Sequence, residues 1–217
     1  MVFFFGLILT VQSKIFLFAK KKNSMAGRPK LFNREQVLEK SILLFWEKGY
    51  ENTSTAELLE VVQLNKGSLY NEFNSKKELF IEGLKYLEEK ALQNLESNLA
   101  ASDAPIEVIK SLFYGVLNAS PEQNCKGCIL GNTIMEFAGQ QKDIVDIAGR
   151  YIKQLEGLFV TYIQKAKDNG SFSGLGTAED IGKYLINFWN GINISRRIYQ
   201  DDKVLKEMID FHLRILN

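Results

Sequence analysis

Histidine is almost missing from this chain. Its one copy, His212, lies far in sequence from both cysteines, so a zinc site assembled with Cys125 and Cys128 has too few nearby ligands. The chain also lacks a Ser-His-Asp set, a metal-ligand cluster and a glycine-rich phosphate loop after a strand. No catalytic residue, metal or cofactor is therefore expected. Three prolines and no sustained strand-like alternation point to an all-α chain. Two cysteines in 217 residues suit a reducing cytoplasm.

Strong charge of one sign is missing too: the net charge is +1. Its distribution carries more than its sum, since residues 1–80 total +4 and the remainder −3. That asymmetry has the sign expected of a nucleic-acid-binding end joined to an end that does not bind it. Long hydrophobic runs are also lacking. The apolar stretches at 2–9 and 15–19 are interrupted by Gln12 and Lys14, too soon for a membrane span of about twenty residues. No basic stretch precedes the first of them and no small-residue cleavage site follows, so a signal peptide is not expected. Phe, Ile, Leu, Lys and Asn dominate residues 1–24. The expectation is that this segment is a mis-assigned start or a disordered extension, with Met25 the natural first residue.

What is present is concentrated between Thr53 and Phe80. Ser54 and Glu57 form a capping box that opens a short helix, whose apolar face is Leu58, Leu59, Val61 and Val62. Gln63 and Leu64 make a tight turn, and Asn65 caps a second short helix. Leu69 and Phe73, four apart, point inward. Lys66, Gly67, Ser68, Tyr70 and Asn71 remain outside, with no acid before Glu72. Ser75 and Glu78 box the start of a third helix that carries Lys76 and Lys77 at its entrance. This pattern is a helix-turn-helix. Lys66 and Lys76 suit phosphates, Tyr70 can donate to one, and Gly67 allows close approach to the backbone. Ser68 and Asn71 have the length to read base edges in the major groove.

With those residues in view the chain resembles the TetR family of bacterial transcriptional repressors. The resemblance runs through Gly27-Arg28-Pro29-Lys30, Leu43-Leu44-Phe45-Trp46-Glu47-Lys48-Gly49-Tyr50, Lys66-Gly67-Ser68-Leu69-Tyr70-Asn71-Glu72-Phe73 and Ser75-Lys76-Lys77-Glu78-Leu79-Phe80. It implies a DNA-binding unit over 25–80 and a ligand-binding and dimerisation domain over 81–217. It implies Arg28, Ser54, Lys66, Gly67, Ser68, Tyr70, Asn71 and Lys76 as the DNA-contacting set. Double-stranded operator DNA, a second copy of the chain and a small-molecule effector are the implied partners, with no membrane. Gln63 departs from the family, which usually has glycine in this turn. If φ is positive there, glutamine costs on the order of 1 kcal/mol.

Elsewhere the basic arm of Arg28, Lys30 and Arg34 precedes a helix capped by Asn33 and stopped at Gly49. Val37, Ile42, Leu44, Phe45 and Trp46 are expected beneath the helix-turn-helix. A long helix is expected from Lys76 to near Leu99, another from Pro105, and a break at Pro121–Lys126. Helices follow over 128–137, 143–167, 178–199 and 202–216. The last two are apolar on several faces, which suggests burial against a partner subunit, with Ile192 and Leu205 on that interface. Tyr114, Met135, Phe159, Phe188 and Trp189 are the candidate lining of an apolar ligand pocket.

Cys125 and Cys128 form a C-x-x-C pair. Lys126 and the amides of the following helix would favour a thiolate there. Some TetR-like repressors place a Gly-Cys at a similar point and sense electrophiles or oxidants. A thiol-based sensor is one alternative to a simple ligand-controlled repressor. A thiol oxidoreductase is the rival from outside regulation, although no strand precedes the pair.

Overall fold

The computed structural model describes residues 32–217, and every regular element among them is a helix. Residues 1–24, Met25 and Arg28 lie outside that range, and so do the expectations placed on them. The described chain divides into two compact units between Ala91 and Leu92.

In the first unit α1 spans Arg34–Lys48, α2 Thr55–Val62 and α3 Lys66–Phe73, and α4 begins at Lys76. Asn33 Oδ1 accepts from Gln36 N at 3.2 Å to open α1, and Gly49 closes it at φ 83°. Val37, Leu38, Ile42 and Phe45 of α1 pack with Leu58, Val62, Leu69, Phe73, Leu79 and Leu84, none more than 6% exposed. Each such side chain contributes about 1.5–3 kcal/mol by leaving water. Leu44 and Trp46 are only half-buried, and Val61, expected on the apolar face of α2, reaches 36% exposure. The chain uses glycine where α4 meets α1. A Cβ on Gly83 would sit 3.1 Å from Ile42 Cβ, so a larger residue would push the two helices apart.

Helix α4 runs without interruption from Lys76 to Ala100, across the division between the units. The second unit continues with α5 (Pro105–Tyr114), a 3-10 turn (Gly115–Asn118), α6 (Pro121–Lys126), α7 (Ile129–Phe137), α8 (Lys142–Asp168), α9 (Ala178–Ile198), α10 (Asp202–His212) and a last 3-10 turn (Leu213–Leu216). The expected break at Pro121–Lys126 is instead a helix. Ser120 and Gln123 form a capping box, and Pro121 occupies the first turn, where its missing N–H costs nothing.

Helix α8 packs against α5, α7 and α9, and α9 packs against α6 and α10. Phe113 stacks on Phe188 with centroids 5.2 Å apart and meets Trp189 edge-on at 5.8 Å; Phe159 lies 6.2 Å from Phe113. Tyr114 donates its hydroxyl to Asp210 at 2.7 Å. Met135, expected beside these rings, is 79% exposed and takes no part in lining the interior.

The two final helices also correct the expected interface positions. Ile192 and Leu205 are 1% and 0% exposed, so they belong to the core of the single chain. The outward apolar side chains are Ile194 (61%), Ile198 (69%) and Phe211 (63%). No helix among the described residues is long and apolar enough to cross a membrane.

Candidate nucleic-acid interface

Helices α2 and α3 are held by side chains close in sequence, which is why so short a segment acquires a defined shape. Ser54 Oγ accepts from Glu57 N at 3.2 Å, and Glu57 Oε2 accepts from Ser54 N at 2.9 Å. Ser54 is thus committed to opening α2. Lys48 pairs with Glu57 across the α1–α2 connection. That ion pair, with the two hydrogen bonds from Ser54, lowers the Glu57 carboxyl to about 2.

The turn itself is left-handed. Gln63 has φ 58° and ψ 39°, the conformation in which a non-glycine residue is disfavoured, so the glutamine's cost of about 1 kcal/mol applies here. Asn65 Oδ1 then accepts from Ser68 N at 2.8 Å and caps α3. Leu69 and Phe73 face inward at 1% and 0% exposure, which turns the opposite side of α3 outward. Lys66, Gly67 and Asn71 are exposed, and Ser68 and Tyr70 are half-buried. The first turn of α3 carries no acid, so the positive end of the helix is left uncompensated.

Two members of the expected DNA-contacting set have partners within the unit. Tyr70 Oη lies 3.0 Å from Thr55 Oγ1, tying the outer face of α3 to the first residue of α2. Lys76 is half-buried, with its ammonium 4.3 Å from the centroid of Tyr50, whose ring also meets Phe45 and Phe80. Ser75 Oγ accepts from Glu78 N at 3.0 Å and opens α4 beside that ammonium.

The sequence reading missed Arg34. Taken there as part of a basic arm, it donates Nε to Glu72 at 2.8 Å and Nη2 to Glu82, and its guanidinium lies 5.0 Å from the centroid of Phe73. Burial works against its charge, but the bonds to Glu82 and Glu72 outweigh it and raise its pKa above the ordinary value. A second polar link joins α1 to α4: Tyr86 donates to Glu35 at 3.3 Å, and Lys90 lies 3.5 Å from the same carboxylate.

A tight turn, an N-capped second helix with an acid-free first turn, and a supporting helix behind it are the parts of a DNA-reading helix-turn-helix. Residues 37–82 match the family of bacterial regulatory proteins, tetR family, and residues 105–211 match the tetracyclin repressor-like C-terminal domain. The HTH-type transcriptional regulator YezE of Bacillus subtilis (strain 168) is 31% identical over 195 residues, 88% of this chain and 100% of the relative. The chain belongs to the tetR family. It is a DNA-binding transcriptional regulator.

The HTH-type transcriptional repressor ComR of Escherichia coli (strain K12) is 27% identical over 175 residues, 79% of this chain and 82% of that one. Two solved structures share the fold. Reduced E. coli NemR superposes with a TM-score of 0.75 at 20% identity, covering 85% of this chain and 97% of that one. A cysteine mutant of the TetR family regulator CifR, complexed with 26 bp double-strand operator DNA, gives 0.75 at 21% identity, with 86% and 98% covered.

The cysteines sit in the second unit. Neither forms a disulfide; Cys125 is exposed on α6 and Cys128 is half-buried as the N-cap of α7. Between them Gly127 has φ +64°, and a Cβ there would fall 2.5 Å from the Arg197 guanidinium. The positive φ favours glycine there, and the missing Cβ leaves room for the guanidinium. Arg196, 3% exposed, donates to Gly127 O at 2.7 Å, and Arg197 donates to Lys126 O at 2.6 Å. Burial brings the Arg196 guanidinium down to about 10, and the nearby Cys128 acts in the opposite direction.

Proposed function

We propose that this chain is a transcriptional repressor that binds a palindromic operator as a homodimer and is released by a small-molecule inducer. The observation that carries the reading is the outer face of α3, where Lys66, Gly67, Ser68, Tyr70 and Asn71 stand clear of the buried Leu69 and Phe73. Lys66 and Lys76 neutralise phosphates, and Tyr70 and Ser54 contact the backbone beside the N-terminus of α2. Gly67 permits close approach, and Ser68 and Asn71 read base edges. Arg28, which lies outside the described residues, is the further candidate for a phosphate or minor-groove contact. The protein acts in the cytoplasm.

Dimerisation places two copies of α3 about one helical turn of DNA apart. The outward Ile194, Ile198 and Phe211 are the surface on which α9 and α10 meet those of a second copy. An effector held among Tyr114, Phe159, Phe188 and Trp189 releases DNA by preferring a different arrangement of α4. The test is a gel shift with DNA from upstream of the protein's own coding sequence. Absence of any specific shift, with the protein folded and dimeric, refutes the repressor reading.

A second reading of the effector is favoured by the buried Arg196 beside Cys128. In it, oxidation or alkylation of the Cys128 thiolate is the releasing signal. Cys128→Ser then keeps DNA binding under reducing conditions and loses its response to oxidant. Thiol titration that finds native Cys128 unreactive, with an unchanged gel shift, removes it.

A further inference from the structure

We propose that Arg34 is a positioning residue for DNA recognition, which silences the carboxylate of Glu72 on α3 and ties α3 to α4 through Glu82. The inference rests on α3 being the recognition helix. Glu72 follows directly on Asn71, and both are exposed. An uncompensated carboxylate at that point would repel the DNA backbone that α3 has to approach.

One guanidinium answers it. Arg34 Nε holds Glu72 at 2.8 Å, Nη2 holds Glu82 on α4, and the face of the group covers Phe73, the last residue of α3. Two carboxylates and one cation leave this cluster with no positive charge to spend on phosphate. Arg34 is therefore distinct from Lys66, which is exposed on the outer face of α3. The two donors also differ in direction: one reaches α3 and the other α4, so the angle between the two helices is fixed by a rigid, planar group. Lysine, a single point charge, cannot hold both carboxylates in that geometry.

The experiment measures binding by fluorescence anisotropy on the upstream fragment retained in the gel shift, across a salt series. Wild type, Arg34→Ala, Arg34→Lys, Arg34→Ala/Glu72→Gln and Asn71→Ala are compared. Arg34→Ala is expected to weaken binding about tenfold or more at low salt, the loss shrinking as salt rises because the repulsion by the freed Glu72 carboxylate is screened. Adding Glu72→Gln is expected to regain most of that loss, and Arg34→Lys to fall between. If the double variant stays as weak as Arg34→Ala and its own slope stays about one below wild type, Arg34 contacts phosphate directly and the proposal is overturned. Wild-type affinity in Arg34→Ala overturns it as well.

Should Arg34→Ala fail to fold by circular dichroism, Arg34→Lys and Arg34→Lys/Glu72→Gln carry the same comparison, and equal affinity in those two is the refuting result. The Asn71→Ala control separates the two layers. Relaxed sequence preference there with no effect at Arg34 sinks only this inference, whereas no effect at either position sinks the assignment of α3.

Discussion

Ile192 and Ile194 are two residues apart on α9, and the dimer reading assigns them opposite fates. Ile194 is 61% exposed in the single chain and Ile198, one turn on, is 69% exposed. Full burial of an isoleucine is worth about 1.5–3 kcal/mol, so covering the exposed part of either yields about 1–2 kcal/mol per copy. In a twofold interface each residue counts twice, giving about 4–8 kcal/mol from the pair. Ile194→Glu removes its share and also places a carboxylate in the contact, where an unpaired charge costs about 3–5 kcal/mol. The dissociation constant should rise at least a thousandfold, since about 1.4 kcal/mol is a factor of ten. Sedimentation at micromolar concentration should find a folded monomer that no longer shifts operator DNA. Ile192→Glu, by contrast, puts a charge into the chain's own core and should unfold it. An Ile194→Glu/Ile198→Glu protein that remains dimeric and binds DNA would refute the assigned surface.

Other expectations attach to the helix-turn-helix. Asn71→Ala should relax sequence preference by about 1–3 kcal/mol of discrimination, while Tyr70→Phe should weaken matched and mismatched DNA alike, both read by competition gel shifts. Gln63→Gly should raise stability by several tenths of a kcal/mol to about 1 kcal/mol in denaturant melts, because φ 58° is a glycine conformation; a loss would show that the glutamine side chain makes a compensating contact. Glu57 has its folded-state pKa lowered to about 2, first by the hydrogen bond from Lys48 and then by those from Ser54. Its contribution is fully present above the unfolded carboxylate value near 4.5 and is lost as pH falls toward 2. The melting-temperature difference between wild type and Glu57→Gln should therefore be constant from pH 7 to 5 and shrink below that; a gap that widens in acid contradicts the pairing.

The sequence was most legible where one residue acts on a neighbour within a turn. Asn33 with Gln36, Ser54 with Glu57, and Asn65 with Ser68 all close hydrogen bonds three residues apart, so helix starts could be read from spacing alone. By the same standard α6 was readable, for Ser120 and Gln123 obey the identical rule. Its brevity hid it, because a helix of six residues leaves no apolar period to support the cap. Periodicity failed where a helix is apolar all round. On α9 the alternation of buried Ile192 and exposed Ile194 cannot be drawn from composition, and on α7 nothing marked Met135 as outward-facing.

Arg34 shows a different limit. Its carboxylate partners lie 38 and 48 residues away, so its charge looked available for DNA until α3 and α4 were folded against α1. Counting basic residues near a helix-turn-helix therefore overstates the charge it can offer to phosphate. Lys48, held by Glu57, is spent in the same way. In the proposed reading the charge offered to DNA includes Lys66, on the acid-free first turn of α3, and Lys76, whose ammonium rests on the Tyr50 ring. An aromatic face positions a cation without pairing it with an acid, so in the proposed reading Lys76 is held ready for a phosphate. Replacing Tyr50 by leucine should accordingly weaken operator binding while leaving the number of released counterions, and hence the salt slope, unchanged. Replacing Lys76 by alanine should lower both. Equal slopes in the two variants would mean that Lys76 packs against the ring and never reaches the DNA.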